Sequence, residues 1–149
     1  MIVWRKGVDK TLLQPQFLAD VEALLGGSPH TWLVTSGHRG IAEQAELYRI
    51  YKAGGPKAAP AGKSAHNYGL AIDVVPDGDT GKPGIQPDWS GSSHAWKWLG
   101  DAVDAHPRLR HGRHFGDAPH IQKVAWEQHK GWSRSGATSP TPITPRLAA

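Results

Sequence analysis

Ten residues, Ser64-Ala65-His66-Asn67-Tyr68-Gly69-Leu70-Ala71-Ile72-Asp73, carry the densest chemistry in the chain. An imidazole and a carboxylate stand seven positions apart, an odd interval that in one unbroken strand sends them to opposite faces. They converge only if the chain bends between them, and Gly69 has the backbone freedom for that bend. Asp73 interrupts an otherwise apolar run from Leu70 to Val75, where an ionised carboxylate is costly unless a cation accompanies it. A metal ion is one such cation. The segment alone leaves a second reading open, in which Asp73 pairs with an arginine or caps a turn and His66 is an ordinary loop histidine.

A second candidate is Phe115-Gly116-Asp117-Ala118-Pro119-His120-Ile121-Gln122. Pro119 fixes its own φ and pushes Ala118 towards extended geometry, so Asp117 falls at a turn and His120 opens the next strand on a stiff mount. One of the two can bind a metal while the other works on the water beside it; a capped hairpin turn is the plainer alternative. A third is Thr35-Ser36-Gly37-His38-Arg39-Gly40, a strand end leading into a helix, where Arg39 can offer a fixed cation to a carboxylate or a developing oxyanion, with Gln44 one turn on in support. His111, His114 and His120 lie within ten residues and form a competing metal set, which leaves Asp73 unexplained.

The composition narrows these readings. There is no cysteine, so any zinc must be held by histidine and carboxylate, and nine histidines make that feasible. With 149 residues the chain suffices for one domain with a true core and not for two ordinary ones. The net charge is +4 with cations scattered among acids and aromatics, which disfavours nucleic acid as the main partner. No apolar run exceeds four residues, so neither a membrane span nor a secretory hydrophobic core is expected.

The elements that must position these groups follow from punctuation and periodicity. Pro15 opens a helix with Phe17, Leu18, Val21, Leu24 and Leu25 on one face, closed by Gly26-Gly27. Thr31 to Thr35 reads as a buried strand, and Ile41 to Ala53 as a second helix with Ala45, Tyr48 and Tyr51 turned inward. Leu70 to Val75 is a central strand; residues 76 to 93 form a long loop in which Trp89 is placed to line a groove. Ser93 is placed to cap a third helix from His94 to Ala105, with Ala95, Leu99, Ala102 and Val103 inward and Trp96 and Trp98 flanking. Two short strands, Arg108 to Phe115 and Pro119 to Lys123, and a helical turn near 124 to 129 follow. Trp32, Trp96 and Trp126 supply bulk to a core with only two phenylalanines. The domain is expected to span 1–132. Residues 133–149, with three each of Pro, Ser and Thr, read as a disordered tail.

Taken together, the three segments resemble the zinc-dependent peptidoglycan peptidases that include D-alanyl-D-alanine carboxypeptidases and phage L-alanyl-D-glutamate endopeptidases. The pattern Ser-x-His-x-x-Gly-x-Ala-x-Asp stands at Ser64, His66, Gly69, Ala71 and Asp73, and the acidic-x-x-His ending at Asp117 and His120. Ser36-Gly37-His38-Arg39 and Glu43-Gln44-Ala45-Glu46-Leu47-Tyr48 match the upstream stretches, and the similarity runs from about Trp32 to Trp126. The resemblance implies an α+β fold with a small central antiparallel sheet and helices packed on it, as in hedgehog and D-Ala-D-Ala peptidase domains. It implies one zinc ion on His66, Asp73 and His120, Asp117 as general base and acid, and Arg39 as an electrostatic clamp. Ser36, Gln44 and Tyr68 are the candidate substrate-binding residues. No role carries over to His38, which stands where such proteins commonly have an aromatic, or to His111 and His114.

Asp117 and the Gly-Asp-x-Pro-His-x-Gln wording are similar to the phage branch. The expected function is therefore a phage or prophage endolysin that cuts the L-alanyl-D-glutamate bond of the peptide stem as a monomer, without nucleic acid and without membrane insertion. It is expected to accumulate in the host cytoplasm and reach the periplasmic wall through a separate pore. A D-alanyl-D-alanine carboxypeptidase of the same fold is the enzymatic rival; a non-catalytic wall-binding or virion structural protein is the rival of another class.

Overall fold

A computed structural model describes residues 1–130; the expected domain end at 132 and the tail 133–149 lie outside the described residues. Five strands form one mixed sheet in the order β1-β2-β3-β5-β4, made of β1 (Ile2–Trp4), β2 (Trp32–Ser36), β3 (Ala71–Pro76), β4 (Leu109–His111) and β5 (His120–Lys123). Three pairings are antiparallel, but β1 runs parallel to β2, so the sheet is not wholly antiparallel as expected. Ile2-Val3-Trp4 is too short to announce itself as a strand and is recruited by its neighbour: its residues pair with Trp32, Leu33 and Val34.

Helix α1 (Pro15–Gly26) begins where expected, with Pro15 in its first turn. The Gln14 side chain caps it by accepting the Phe17 N–H at 2.7 Å. Helix α3 (His94–Asp104) turns Ala95, Trp96, Leu99 and Val103 into the core. Ser93 precedes it but does not cap it; its hydroxyl instead donates to Asp88 Oδ2 at 2.7 Å. Phe17, Val21 and Leu25 of α1 join Trp32, Val34, Ile72, Val74 and Leu99 in one buried cluster, each such side chain contributing about 1.5–3 kcal/mol. Trp32 and Trp96 meet edge to face in that cluster, and Trp126 is also buried.

Helix α2 (Ile41–Lys52) departs from the apolar pattern: Ala45 and Tyr51 are exposed, Tyr48 is half-buried, and the buried residue is Gln44. Its orientation is set by the polar partners that Gln44 finds rather than by an apolar stripe.

Two hinges of the fold can be tested directly. Gly69 ends the 3-10 turn Ala65–Tyr68 in the left-handed region, with φ at +69°. A Cβ there would lie 2.5 Å from the Leu12 carbonyl oxygen and 3.2 Å from Gln14 N. Gly69→Ala is expected to destabilise the metal-free chain by at least about 1–2 kcal/mol, the cost of the left-handed conformation before the collision is counted. Urea unfolding checks it, and an unchanged midpoint would contradict this role.

Asp20 of α1 is buried and accepts both Arg108 Nε at 2.8 Å and Arg108 Nη2 at 2.7 Å. Burial works against its charge, but the bonds from Arg108 and Gln16 outweigh that and hold the carboxyl below its ordinary value. A depressed carboxyl stabilises the fold above the unfolded-state value of about 3.9, and that contribution is lost as pH falls through the folded value. Asp20→Asn is therefore expected to cost about 1.5–3 kcal/mol at pH 7. The difference from the parent should shrink below about pH 4, near the unfolded carboxyl value; equal differences at both pH values would refute it.

Candidate metal centre

Strand register does most of the assembly. Asp73 of β3 stands opposite His120 of β5, so the two side chains share one face of the sheet. On its other side Asp73 stands opposite Ser36, because β2 shifts register between Val34 and Ser36. This bulge turns the end of β2, and with it Ser36-Gly37-His38-Arg39, towards the same place. His66 arrives from the 3-10 turn Ala65–Tyr68, which is capped reciprocally by Ser64 and Asn67 and ended by Gly69. The bend expected between His66 and Asp73 is that left-handed glycine.

The three candidate ligands meet. His66 Nε2 lies 3.3 Å from Asp73 Oδ2, and His120 Nδ1 lies 3.3 Å from Asp73 Oδ1. One potential ligand atom from each lies within 4.8 Å of the others, and among the described residues no other group of three His, Asp or Glu side chains does so.

The outer nitrogens explain why a cation suits this arrangement. His66 Nδ1 is 2.7 Å from the Gly37 carbonyl oxygen, which can only accept, so Nδ1 carries a proton. His120 Nε2 likewise donates to Gln122 Oε1 at 2.8 Å. In their neutral forms both rings then aim an unprotonated inner nitrogen at the Asp73 carboxylate. Lone pairs facing lone pairs repel unless protons or a metal ion lie between them. Two neutral imidazoles and one carboxylate, each ring oriented by an acceptor behind it, fit a divalent ion such as zinc. Burial disfavours the Asp73 charge, yet hydrogen bonds from His120 and His66 hold its carboxyl far below the usual range. For His120, burial is the largest single influence and pulls downward, but the bond and charge of Asp73, the Gln122 bond and the Asp117 charge together outweigh it and leave the imidazole above its ordinary value.

The other candidate residues surround this centre. Asp117 lies at the cleft mouth with Oδ2 3.8 Å from His120 Nδ1 and half its side chain open to solvent. Desolvation and then the Asp73 charge raise its carboxyl, against the pull of His120, His66 and Arg39. Arg39 Nη2 stands 3.9 Å from Asp73 Oδ2 and donates to Ser36 Oγ at 3.2 Å, while Nη1 donates to Gln44 Oε1 at 3.1 Å. The guanidinium is thus held on two sides. A cleft of about 620 Å³ runs over the centre, with Arg39, Gln44, His66, Asp73, Asp117 and His120 in its lining. Ser36 and Tyr68 are not in that lining. Ser36 supports Arg39, and Tyr68 stacks on Trp126 and donates its hydroxyl to the Gly62 carbonyl at 2.8 Å.

The competing histidine set does not assemble. His111 Nε2 donates to the Ala118 carbonyl at 2.7 Å, and its Nδ1 accepts the Arg113 N–H, so the ring staples the turn that carries Asp117. His114 pairs with Asp104. His38 is exposed, and Trp89 is exposed on the long loop outside the cleft lining.

Three supporting groups escaped the sequence reading. Gln122, two residues past His120, orients that ring; the sequence reading quoted it in the Gly-Asp-x-Pro-His-x-Gln wording without giving it a role. Asn67 joins the site's loops by donating to the Arg39 carbonyl at 2.9 Å. Gly112 lets the backbone close around the centre, since a Cβ there would collide with the Asp117 carbonyl oxygen and lie 2.8 Å from His120 Cβ.

No protein-family model and no curated protein sequence matches this chain. Solved structures do match, and they define an α+β fold shared with peptidases of the bacterial wall. The L-Ala D-Glu endopeptidase ChiX of Serratia marcescens is 20% identical, with 81% of this chain and 90% of that one covered and a TM-score of 0.57. The vancomycin-resistance D,D-dipeptidase VanXYg, solved with a D-Ala-D-Ala phosphinate analogue, is 18% identical over 83% of this chain and 57% of its own, with a TM-score of 0.55. The LD-carboxypeptidase LdcB is 17% identical over 78% and 58%, with a TM-score of 0.51. The chain therefore spans little more than half of the last two. At these identities the likeness is one of fold, and the expected fold class is the observed one.

Proposed function

We propose that this protein is a zinc-dependent peptidase of the peptidoglycan stem, cutting most readily between L-alanine and D-glutamate. The observation that carries the reading is the meeting of His66, Asp73 and His120 in one cleft, with Asp117 and Arg39 beside them. The shared fold with a Serratia L-Ala D-Glu endopeptidase supports it. The Gly-Asp-x-Pro-His-x-Gln wording from Gly116 to Gln122 supports the endolysin role within that class. Among the described residues no helix is long and apolar enough to cross a membrane, in keeping with a substrate met outside the bilayer.

His66, Asp73 and His120 would hold the zinc. When bound, such an ion supplies Lewis acidity and water that ionises near neutral pH. The protein's own groups do the rest. Asp117, at the mouth and raised in pKa, takes the proton from the attacking water and returns it to the departing amine. Arg39, fixed by Ser36 and Gln44, presents its charge where the scissile carbonyl oxygen becomes an oxyanion. Gly37 and Gln122 keep both imidazoles in the tautomer that leaves their inner nitrogens free.

Mass spectrometry of digested muropeptides, with and without chelator, tests the reading. A chelator-sensitive peptide beginning with D-glutamate is the expected product. Loss of one terminal alanine would assign the carboxypeptidase activity instead, and wall binding without any product would assign a non-catalytic role.

A further inference from the structure

The cleft has two unlike walls. One is the turn that carries Phe115, Gly116 and Asp117; the other is the connection between α2 and the His66 turn, which places Lys57 and Lys63 in the lining. That connection is held firmly for a loop rich in Gly, Ala and Pro. Gln44 Nε2 donates to the Ala59 carbonyl at 2.7 Å, Tyr68 to the Gly62 carbonyl at 2.8 Å, and Asn67 Oδ1 accepts the N–H groups of Gly62 and Ser64 at 3.1 and 3.3 Å. Buried Gln44 therefore ties this wall to Arg39, and Asn67 ties it to the turn that bears His66.

The two lysines differ from the cations that are paired within the chain. Lys10, Arg49, Lys97 and Arg113 each have a carboxylate of this chain within 3.3 Å. Among the described residues neither Lys57 nor Lys63 has one. Arg39, the third cation of the cleft, is already engaged by Asp73, Ser36 and Gln44. With both imidazoles neutral and a divalent ion bound, the cleft holds an excess of positive charge over Asp73 and Asp117. Its uncommitted part lies on the α2 side. A cleft so charged favours a negatively charged ligand over a neutral one of the same shape.

We infer that Lys57 and Lys63 are specificity residues that read a carboxylate of the peptide in this cleft. The inference rests on the peptidase reading and adds that the preferred stem is one whose acid group is free. Two carboxylates of a stem peptide have the right chemistry, that of D-glutamate and that of the C-terminus.

Three synthetic stem peptides of equal length test it: one unmodified, one amidated at the glutamate carboxylate and one amidated at the C-terminus. Binding to the zinc-loaded chain is followed by stopped-flow tryptophan fluorescence before turnover, and hydrolysis by product analysis. One amidation is expected to weaken binding about tenfold, the combined effect of two accessible ion pairs in a concave site, and which amidation does so identifies the carboxylate. In the Lys57→Gln/Lys63→Gln protein that penalty should fall below about twofold, while Lys57→Arg/Lys63→Arg should retain most of it. The penalty is a ratio within one protein, so a poorly folded fraction does not imitate its loss.

No penalty in the parent, no binding of any peptide, or a penalty that survives in the glutamine variant would overturn the inference. Peptides bound with the penalty but never cut would overturn the peptidase reading and leave this one standing. Peptides cut without the penalty would do the reverse.

Discussion

His120→Ala is expected to reduce peptidoglycan hydrolysis to the level of the chelated protein and to remove stoichiometric zinc. In the proposed centre His120 would supply one of the three donor atoms; it faces Asp73 across the β3–β5 register at 3.3 Å, so its loss would leave two donors and an open side. Two donors do not make the closed half of a zinc site that keeps one position free. The substitution is best read beside Gln122→Ala, which leaves the donor and removes only the acceptor behind the ring. That variant should weaken zinc by about 10–100-fold, as outer partners of metal-binding histidines do, and excess zinc should restore its activity. Metal analysis after dialysis and competition with a chelating dye give both quantities. Full zinc content in His120→Ala would place the metal elsewhere.

The second large effect belongs to Asp117. It lies beside the centre, 3.8 Å from His120 Nδ1, with its side chain half open and its carboxyl raised by desolvation and by Asp73. A base in that position moves protons without holding the ion. Asp117→Asn should therefore keep one zinc per chain and an unchanged unfolding midpoint while kcat falls by about 10²–10⁴, the usual contribution of a positioned acid or base. Initial rates on soluble muropeptides together with metal analysis check this. Loss of zinc along with activity would make Asp117 a ligand, and retention of activity would remove it from the mechanism.

Local signals marked the segments as candidates, and the resemblance to peptidoglycan peptidases supplied the ligand set. An acid inside the apolar run of β3, a glycine between it and His66, and a proline stiffening the approach to His120 each have a physical meaning that does not depend on distant contacts. The structure brings these residues to one point through a left-handed Gly69 and a β3–β5 register that pairs Asp73 with His120. Long-range partnerships were harder to see. Gln44 turns inward because Arg39 and the Ala59 carbonyl satisfy its amide, whereas a search for apolar faces picks Ala45 and Tyr51. Ser93 looks like a helix cap, but Asp88 takes its hydroxyl. β1 exists only because β2 offers it an edge. The bulge that sets Ser36 opposite Asp73 leaves no mark in composition.

Anomalous diffraction at the zinc edge, from crystals of the zinc-loaded chain, is the most direct test of the centre. The expected result is one strong peak bounded by His66 Nε2, Asp73 and His120 Nδ1. A peak at His111 and His114, or none in the cleft at full zinc loading, would contradict it.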